Sequence, residues 1–460
     1  MRAGISHTWR ALRHRNFKLF FFGQSISLIG TWMTRLATAW LVYRLTHSAL
    51  LLGVVSFSGQ IVSFLLGPFA AVWVERLERR RLLVITQAAA AVQSLSLAAL
   101  TLTHVITLEE IIGLMIFQGL INAFDMPGRQ SFLVHMVEDR GDLANAIAIN
   151  SSMVNGARLI GPAIGGLIIA AFGEGWCYLI DGVSYFAVIA SLLLMQLTAL
   201  NGRTRAESTL LQELREGWNY VSGSRPIRTV LLLLALTCFM GWPYSVLLPV
   251  FAGKVLHGDA HTLGWLTAAS GVGAFSSALT LAMRKSIVGL TRTLQVAVAL
   301  LGVGLILFGL SHVLWLSLAL MVVVGFGLIQ AAAVCNTIIQ SLVPDDKRAR
   351  VMGYYTMAFF GAAPFGSLMA GALAQHIGAP HTVMLTGTFC IAGAAWFNFQ
   401  LPKIRPGLRA SYRERELSVT RSAAEEARAA ARQASASIAN PKTSNASPHH
   451  RLTSMPNERR

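Results

Sequence analysis

The stretch from Asn145 to Gly173, NAIAINSSMVNGARLIGPAIGGLIIAAFG, constrains the fold of this chain more than any other. About 20 helical residues cross about 30 Å of hydrocarbon, and this run is long and apolar enough to do so. Ala157, Gly161 and Gly165 recur every four residues, so they share one face on which another helix can approach closely. Pro162 removes a backbone donor between those glycines, and a bend is expected there. Ser151, Asn155 and Arg158 stand at i, i+4 and i+7 on another face, with a full charge near mid-span. An arginine at that depth faces a bundle interior or a wet cavity.

The rest of the chain agrees. Only 13% of its 460 residues are charged, about half the share of an ordinary soluble chain. Twelve apolar spans are expected, at about 17–44, 49–74, 81–103, 109–133, 145–172 and 176–198, then 227–255, 262–283, 291–310, 313–341, 349–375 and 379–400. The domain reading is a terminus over 1–16, a six-helix bundle over 17–199, a linker over 200–226, a second bundle over 227–400 and a tail over 401–460. LLQELREGWNYV in the linker reads as an amphipathic surface helix. The tail is basic, without apolar periodicity, and is expected to be largely disordered.

Lysine and arginine set the orientation. Arg44 and Lys254 follow odd-numbered spans, and Arg35 and Arg158 lie within spans. All the others fall in the termini, the linker or the loops and span ends on the same side. Both termini and the linker are therefore placed in the cytoplasm of a plasma membrane, a bacterial inner membrane. This distribution explains the net charge of +17 by anionic lipid, and nucleic acid is not expected as a partner. Cys177, Cys238, Cys335 and Cys390 stand singly in apolar runs, without metal or redox spacing.

The halves repeat weakly. Gly161, Gly166 and Gly173 recur 205 residues later as Gly366, Gly371 and Gly378, with Pro364 in a role like that of Pro162. The fold class is thus an all-α polytopic membrane protein, two pseudo-symmetric six-helix bundles with a site between them near the midplane. Gln24, Ser27, Thr31 and Arg35 form a polar stripe in span one, and Gln118, Asn122, Asp125 and Arg129 form one in span four. Lipid would reject both, so a shared cavity lined by spans one, four, seven and ten is expected. Span ten adds Gln330 and Thr337. Span seven adds Trp242 and Tyr244, which either touch a ligand or anchor the helix at the interface.

Asp125 and Arg129 are one turn apart, readable as a structural ion pair or as part of a proton path. Asp181 lies inside span six without a basic neighbour in sequence. It is either a proton carrier or a hydrogen-bonded structural residue. Arg35 and Arg158 favour an anionic or hydrogen-bonding ligand, or else hold a carboxylate such as Asp181. No metal-ligand, nucleophile or nucleotide-loop constellation is evident, so neither cofactor nor enzymatic activity is expected.

Two motifs carry a family resemblance. GPFAAVWVERLERRR, Gly67 to Arg81, resembles the cytoplasmic signature GxxxDRxGRR of the major facilitator superfamily, with Ala71, Glu75 and Glu78 as departures. The resemblance implies a cytoplasmic gate of Glu75, Arg76, Arg79 and Arg80, with Arg129 among the neighbouring basic groups, that latches onto the start of span eleven. Gly161, Pro162, Gly165 and Gly166 resemble the GPxxGG end of that superfamily's antiporter signature, with Gly366 and Gly371 as later counterparts. FGQSISLIGTWM, FDMPGRQSF and LANAIAINSSMVNGARLIGPAIGG are similar to the drug:H+ antiporter-3 branch, which includes enterobactin-type exporters. The branch's arginine in span four is Met115 here. The resemblance implies the major facilitator fold and proton-coupled efflux of a small molecule by a monomer in the bilayer. A facilitator or importer on the same scaffold, or a non-transporting scaffold, are the alternatives.

Overall fold

In lipid a backbone must satisfy its own polar groups, and helices do so within one segment. The computed structural model describes residues 10–133, 136–137, 139–196, 210–284 and 289–404, apart from the side chains at 68, 71, 72, 75, 76, 140, 144, 210–214, 345, 346 and 349. The described residues all fall within one unit. The expected disordered tail, from 405 on, lies outside the described residues.

The first bundle comprises span one Arg15–Thr46, span two Ala49–Arg76, span three Arg79–Leu102, span four Leu108–Leu133, span five Leu143–Phe172 and span six Glu174–Leu194. A linker helix, Leu210–Gly223, follows. Span seven is built in pieces, Arg225–Gly241 and Tyr244–Val250, and ends in a π-helical turn, Phe251–Val255. Trp242 and Pro243 form the break, where proline withholds a backbone donor. Span eight is Ala260–Ala282, span nine Leu290–Leu310, span ten Leu314–Leu342, span eleven Asp345–Ile377 and span twelve Ala379–Ile404. Among the described residues, eleven helices are long and apolar enough to cross a membrane. Span one, with 32 residues, is long enough but less apolar. Gln24, Ser27, Thr34 and Thr38 are buried in the bundle, and Arg35 adds charge.

In the first bundle span one packs on five and six, three on four and six, and two on four. In the second, eight and nine pack on ten, and seven on ten and eleven. The bundles meet where five packs on eight and two on eleven. Lipid gives little hydrophobic drive for helix pairing, so small residues that admit close approach select these contacts. A Cβ at Gly264 would lie 2.8 Å from the Pro162 carbonyl oxygen and 2.9 Å from the Gly166 Cα. A Cβ at Gly371 would lie 2.7 Å from the Ala49 carbonyl oxygen and 3.0 Å from the Gly53 Cα. Ala157, Gly161 and Gly165 pack differently, since Gly161 and Gly165 abut Trp32 and Met33 of span one.

The repeat is also visible in the backbone. Gly173 and Gly378, at corresponding positions, end spans five and eleven with φ of 90° and 83°. L side chains rarely adopt that region, and glycine does so freely.

Candidate functional site

Span five carries the clearest sign of a site. Residues 147, 151, 154, 158, 161, 165 and 169 lie along one side of the helix, so Ser151 and Arg158 share a side with Gly161 and Gly165 and not the separate face expected from sequence. Ile147, Ser151 and Val154 are exposed, Arg158 is half-buried, and Gly161, Gly165 and Ile169 are buried. Lipid does not account for this change, because the outward face is a different one, of Ile160, Ile164 and Leu167. Span eleven repeats the pattern. Thr356 is exposed and Met352 and Phe359 are half-buried, whereas Ala363, Gly366, Ala370 and Ala374 are buried. The bundles are therefore parted at the end that carries the linker and closed at the other. At the closed end the Ser48 hydroxyl donates to Gln375 Oε1 at 3.2 Å, and Gly253 seats against the Tyr43 ring.

At the floor of this cleft two arginines converge on two tryptophans. The Arg35 guanidinium carbon lies 4.8 Å from the centre of the Trp32 ring. Arg158 lies 5.4 Å from that same ring and 5.5 Å from Trp242. Trp242 belongs to the other bundle, at the break in span seven, and meets Phe359 of span eleven edge-on at 5.6 Å. A cation over an aromatic face gains about 0.5–2 kcal/mol, less than the about 2.5–3.5 kcal/mol or more that an arginine costs at mid-bilayer. Stacking alone does not hold them there; Arg35 is exposed and Arg158 half-buried on the cleft.

Asp181 lies below the cleft, 1% exposed. Its Oδ2 accepts from Thr34 Oγ1 at 2.9 Å and Ser94 Oγ at 3.1 Å, and its Oδ1 has no hydrogen-bond partner among the described residues. Gly30 makes room for Oδ1, since a Cβ there would stand 2.7 Å from it. No arginine or lysine is within ion-pair distance of this carboxylate among the described residues.

Asp125 is the opposite case. Arg129 pairs with its Oδ2 at 2.5 Å, while Thr86 and Gln87 of span three donate to its Oδ1 at 3.0 and 2.7 Å. Both oxygens are occupied, as a structural ion pair requires.

The expected lining by spans one, four, seven and ten needs correction. Gln24 and Gln330 are buried within their own bundles, and Gln330 accepts from Ser277 at 2.8 Å and Thr280 at 3.3 Å. Tyr244 is buried, with its hydroxyl 2.6 Å from that of Ser270 in span eight. Gln330 and Tyr244 are spent on neighbouring hydroxyls because an unpaired polar atom in apolar surroundings is costly. Gln118 donates to Asn122 at 3.2 Å, Asn155 to the Ser151 carbonyl at 2.9 Å, Thr337 to the Ala333 carbonyl at 3.0 Å and Thr31 to the Ser27 carbonyl at 3.0 Å. These four are half-buried. Spans one, five and seven build the centre instead. A separate cavity of about 440 Å³ borders Gln330, Thr280, Arg284, Arg292 and Phe326, between spans eight, nine and ten.

The side chains of Glu75 and Arg76, expected in the gate, lie outside the described residues. Arg80 donates to the Leu193 carbonyl of span six, so it ties its own bundle together and does not latch onto span eleven. Arg129 is held by Asp125 on its own helix. The start of span eleven is met by the linker helix, through Arg350–Glu216 at 2.7 Å and Trp218 against Tyr354.

Trp32, Thr34, Ser94 and Gly264 were not among the residues expected from sequence. Trp32, three residues before Arg35, is the one whose spacing on the span-one face carried a signal.

A family model described as "Transmembrane secretion effector" matches residues 6–426. The chain is 26% identical to the "Staphyloferrin A transporter" of Staphylococcus aureus, over 83% of this chain and 95% of that one. It is 27% identical to the "Multidrug efflux pump Tap" of Mycolicibacterium fortuitum, over 78% and 89%. Among solved structures it resembles the nucleoside transporter NupG, with a TM-score of 0.65 and 13% identity over 85% and 99% of the two chains. It also resembles a D-xylose-proton symporter, with a TM-score of 0.63 and 14% identity over 84% and 96%.

Proposed function

The chain belongs to the transmembrane secretion effector family of the major facilitator superfamily, and from that membership we propose that it exports a small molecule in exchange for protons. It is a multi-pass membrane transporter and not an enzyme. The bilayer is the plasma membrane, with the linker and both termini cytoplasmic, as the one-sided lysine and arginine require. Residues 17–199 and 227–400 rock as two bodies, joined by the linker over 200–226 and flanked by the terminal segments 1–16 and 401–460.

One observation carries this reading: a single face of span five turns from exposed to buried at Arg158, and the matching face of span eleven passes from partly exposed to buried at Ala363. A cleft shut at one end and open at the other is one of the two states that alternating access needs. The seams of Gly166 on Gly264 and Gly53 on Gly371 are the contacts that would part as the linker-side cleft closes. Arg35, Arg158 and Trp242 face the transported molecule in this scheme. Asp181 takes and releases the proton in this scheme, because it is an intramembrane carboxylate with no arginine or lysine within ion-pair distance among the described residues. The outward direction rests on the efflux pumps among the relatives.

The test is transport by the purified chain in proteoliposomes carrying a pH-sensitive dye. Addition of a transported solute should move protons in the opposite direction. Solute flux without any proton movement would leave the transporter and remove the antiport; a facilitator is then the reading.

A further inference from the structure

We infer that the Arg35–Arg158 pair is a receptor for a small organic anion bearing at least two negative groups. This inference rests on the transport reading for its purpose, and on the geometry for its chemistry.

The charge inventory of the first bundle leads to it. The acids at depth are already engaged. Asp125 is paired with Arg129, Glu174 holds Arg44 through contacts of 3.0 and 3.1 Å, and Asp181 accepts from Thr34 and Ser94. No direct ion pair ties either arginine to a carboxylate among the described residues, and two positive charges remain on the cleft floor.

Their arrangement suits an anion. Both guanidinium groups stack on one ring, that of Trp32, so their separation is no greater than the sum of two stacking distances. One small molecule reaches both. A guanidinium held over a ring by its charge spends none of its N–H donors, so its fork is available to carboxylate or phosphate oxygens. Like charges so close repel each other, and an anion between them relieves that repulsion. A monoanion neutralises only one charge of the pair, whereas a dianion neutralises both. Because Arg158 also stacks on Trp242 of the second bundle, an anion bound there touches the joint between the bundles.

The experiment is calorimetric titration of the full chain in nanodiscs of uncharged lipid, using citrate, acetate and the tetraphenylphosphonium cation as probes. Citrate should bind more tightly than acetate, and added salt should weaken it. Arg35→Gln and Arg158→Gln should each weaken citrate by about 10-fold or more, the loss expected for a charge-assisted contact. Arg35→Lys and Arg158→Lys keep the charge and should restore part of the affinity, which separates lost charge from lost folding. The inference is overturned if citrate binds no more tightly than acetate, if both glutamine variants bind it like the parent, or if the cation is preferred. The two readings fail separately. Citrate binding without flux of any solute in proteoliposomes would remove the transporter and leave the receptor; flux of a cationic dye without citrate binding would do the reverse.

Discussion

The Thr34 hydroxyl donates to Asp181 at 2.9 Å, tying span one to span six one residue from Arg35. Any change in the charge of Asp181 is thus felt on the helix that carries a cleft arginine. Asp181→Asn keeps the shape and removes the titratable oxygen. It is expected to abolish solute movement driven by a proton gradient while leaving solute–solute exchange in place. Thr34→Val removes one of two donors to the carboxylate, about 1.5–3 kcal/mol of contact, and should slow gradient-driven flux without abolishing it. Flux with and without an imposed gradient checks both; an Asp181→Asn protein still driven by the gradient would refute the assignment.

The glycine seam sets a second expectation. A Cβ at Gly264 has the Pro162 carbonyl and the Gly166 backbone in its way, and backbone cannot swing aside as a side chain can. Gly264→Val should wedge spans five and eight apart at the closed end and reduce transport to near background. Spin labels at Ser48 and Gln375, whose side chains touch in the closed end, should show a longer separation in this variant.

Asp125 should behave as a structural residue. Removing one partner of a buried ion pair leaves the other uncompensated, at a cost of about 3–5 kcal/mol; the 29% exposure of the Arg129 side chain points to the lower end. Asp125→Asn should lower the Tm of the solubilised protein by several degrees. The double exchange Asp125→Arg with Arg129→Asp should recover part of it. A stable Asp125→Asn protein that has lost only proton coupling would return this residue to the proton path.

The spans, the linker helix and the glycine repeat were legible because apolar runs and glycine spacing are properties of single segments. Arg158 was legible too, since a charge in an apolar run must find an interior. The partners were not. Thr34 meets Asp181 across 147 residues, and Gly166 meets Gly264 across a bundle boundary, so spacing along one helix holds no information about either. Helical periodicity shows that Gln24, Tyr244 and Gln330 avoid lipid. It does not distinguish a wet cleft from a neighbouring serine, and for Tyr244 and Gln330 it was serine.

Trp242 gives the last expectation. Its ring is shared by Arg158 of span five and Phe359 of span eleven, and it stands at the break of span seven, where its carbonyl accepts from the Ser245 N–H at 3.2 Å in a tighter turn. One side chain thus joins a cleft charge to both helices that change from exposed to buried. Trp242→Phe keeps a smaller aromatic face for Arg158 and should leave the half-saturating solute concentration within a few-fold. Trp242→Ala removes the face altogether. With about 0.5–2 kcal/mol in such a contact, half-saturation should rise by about 2- to 30-fold. If Trp242 merely anchored span seven at the membrane interface, the phenylalanine variant would be no better than alanine. The concentration dependence of flux, measured for both against the parent, separates these outcomes.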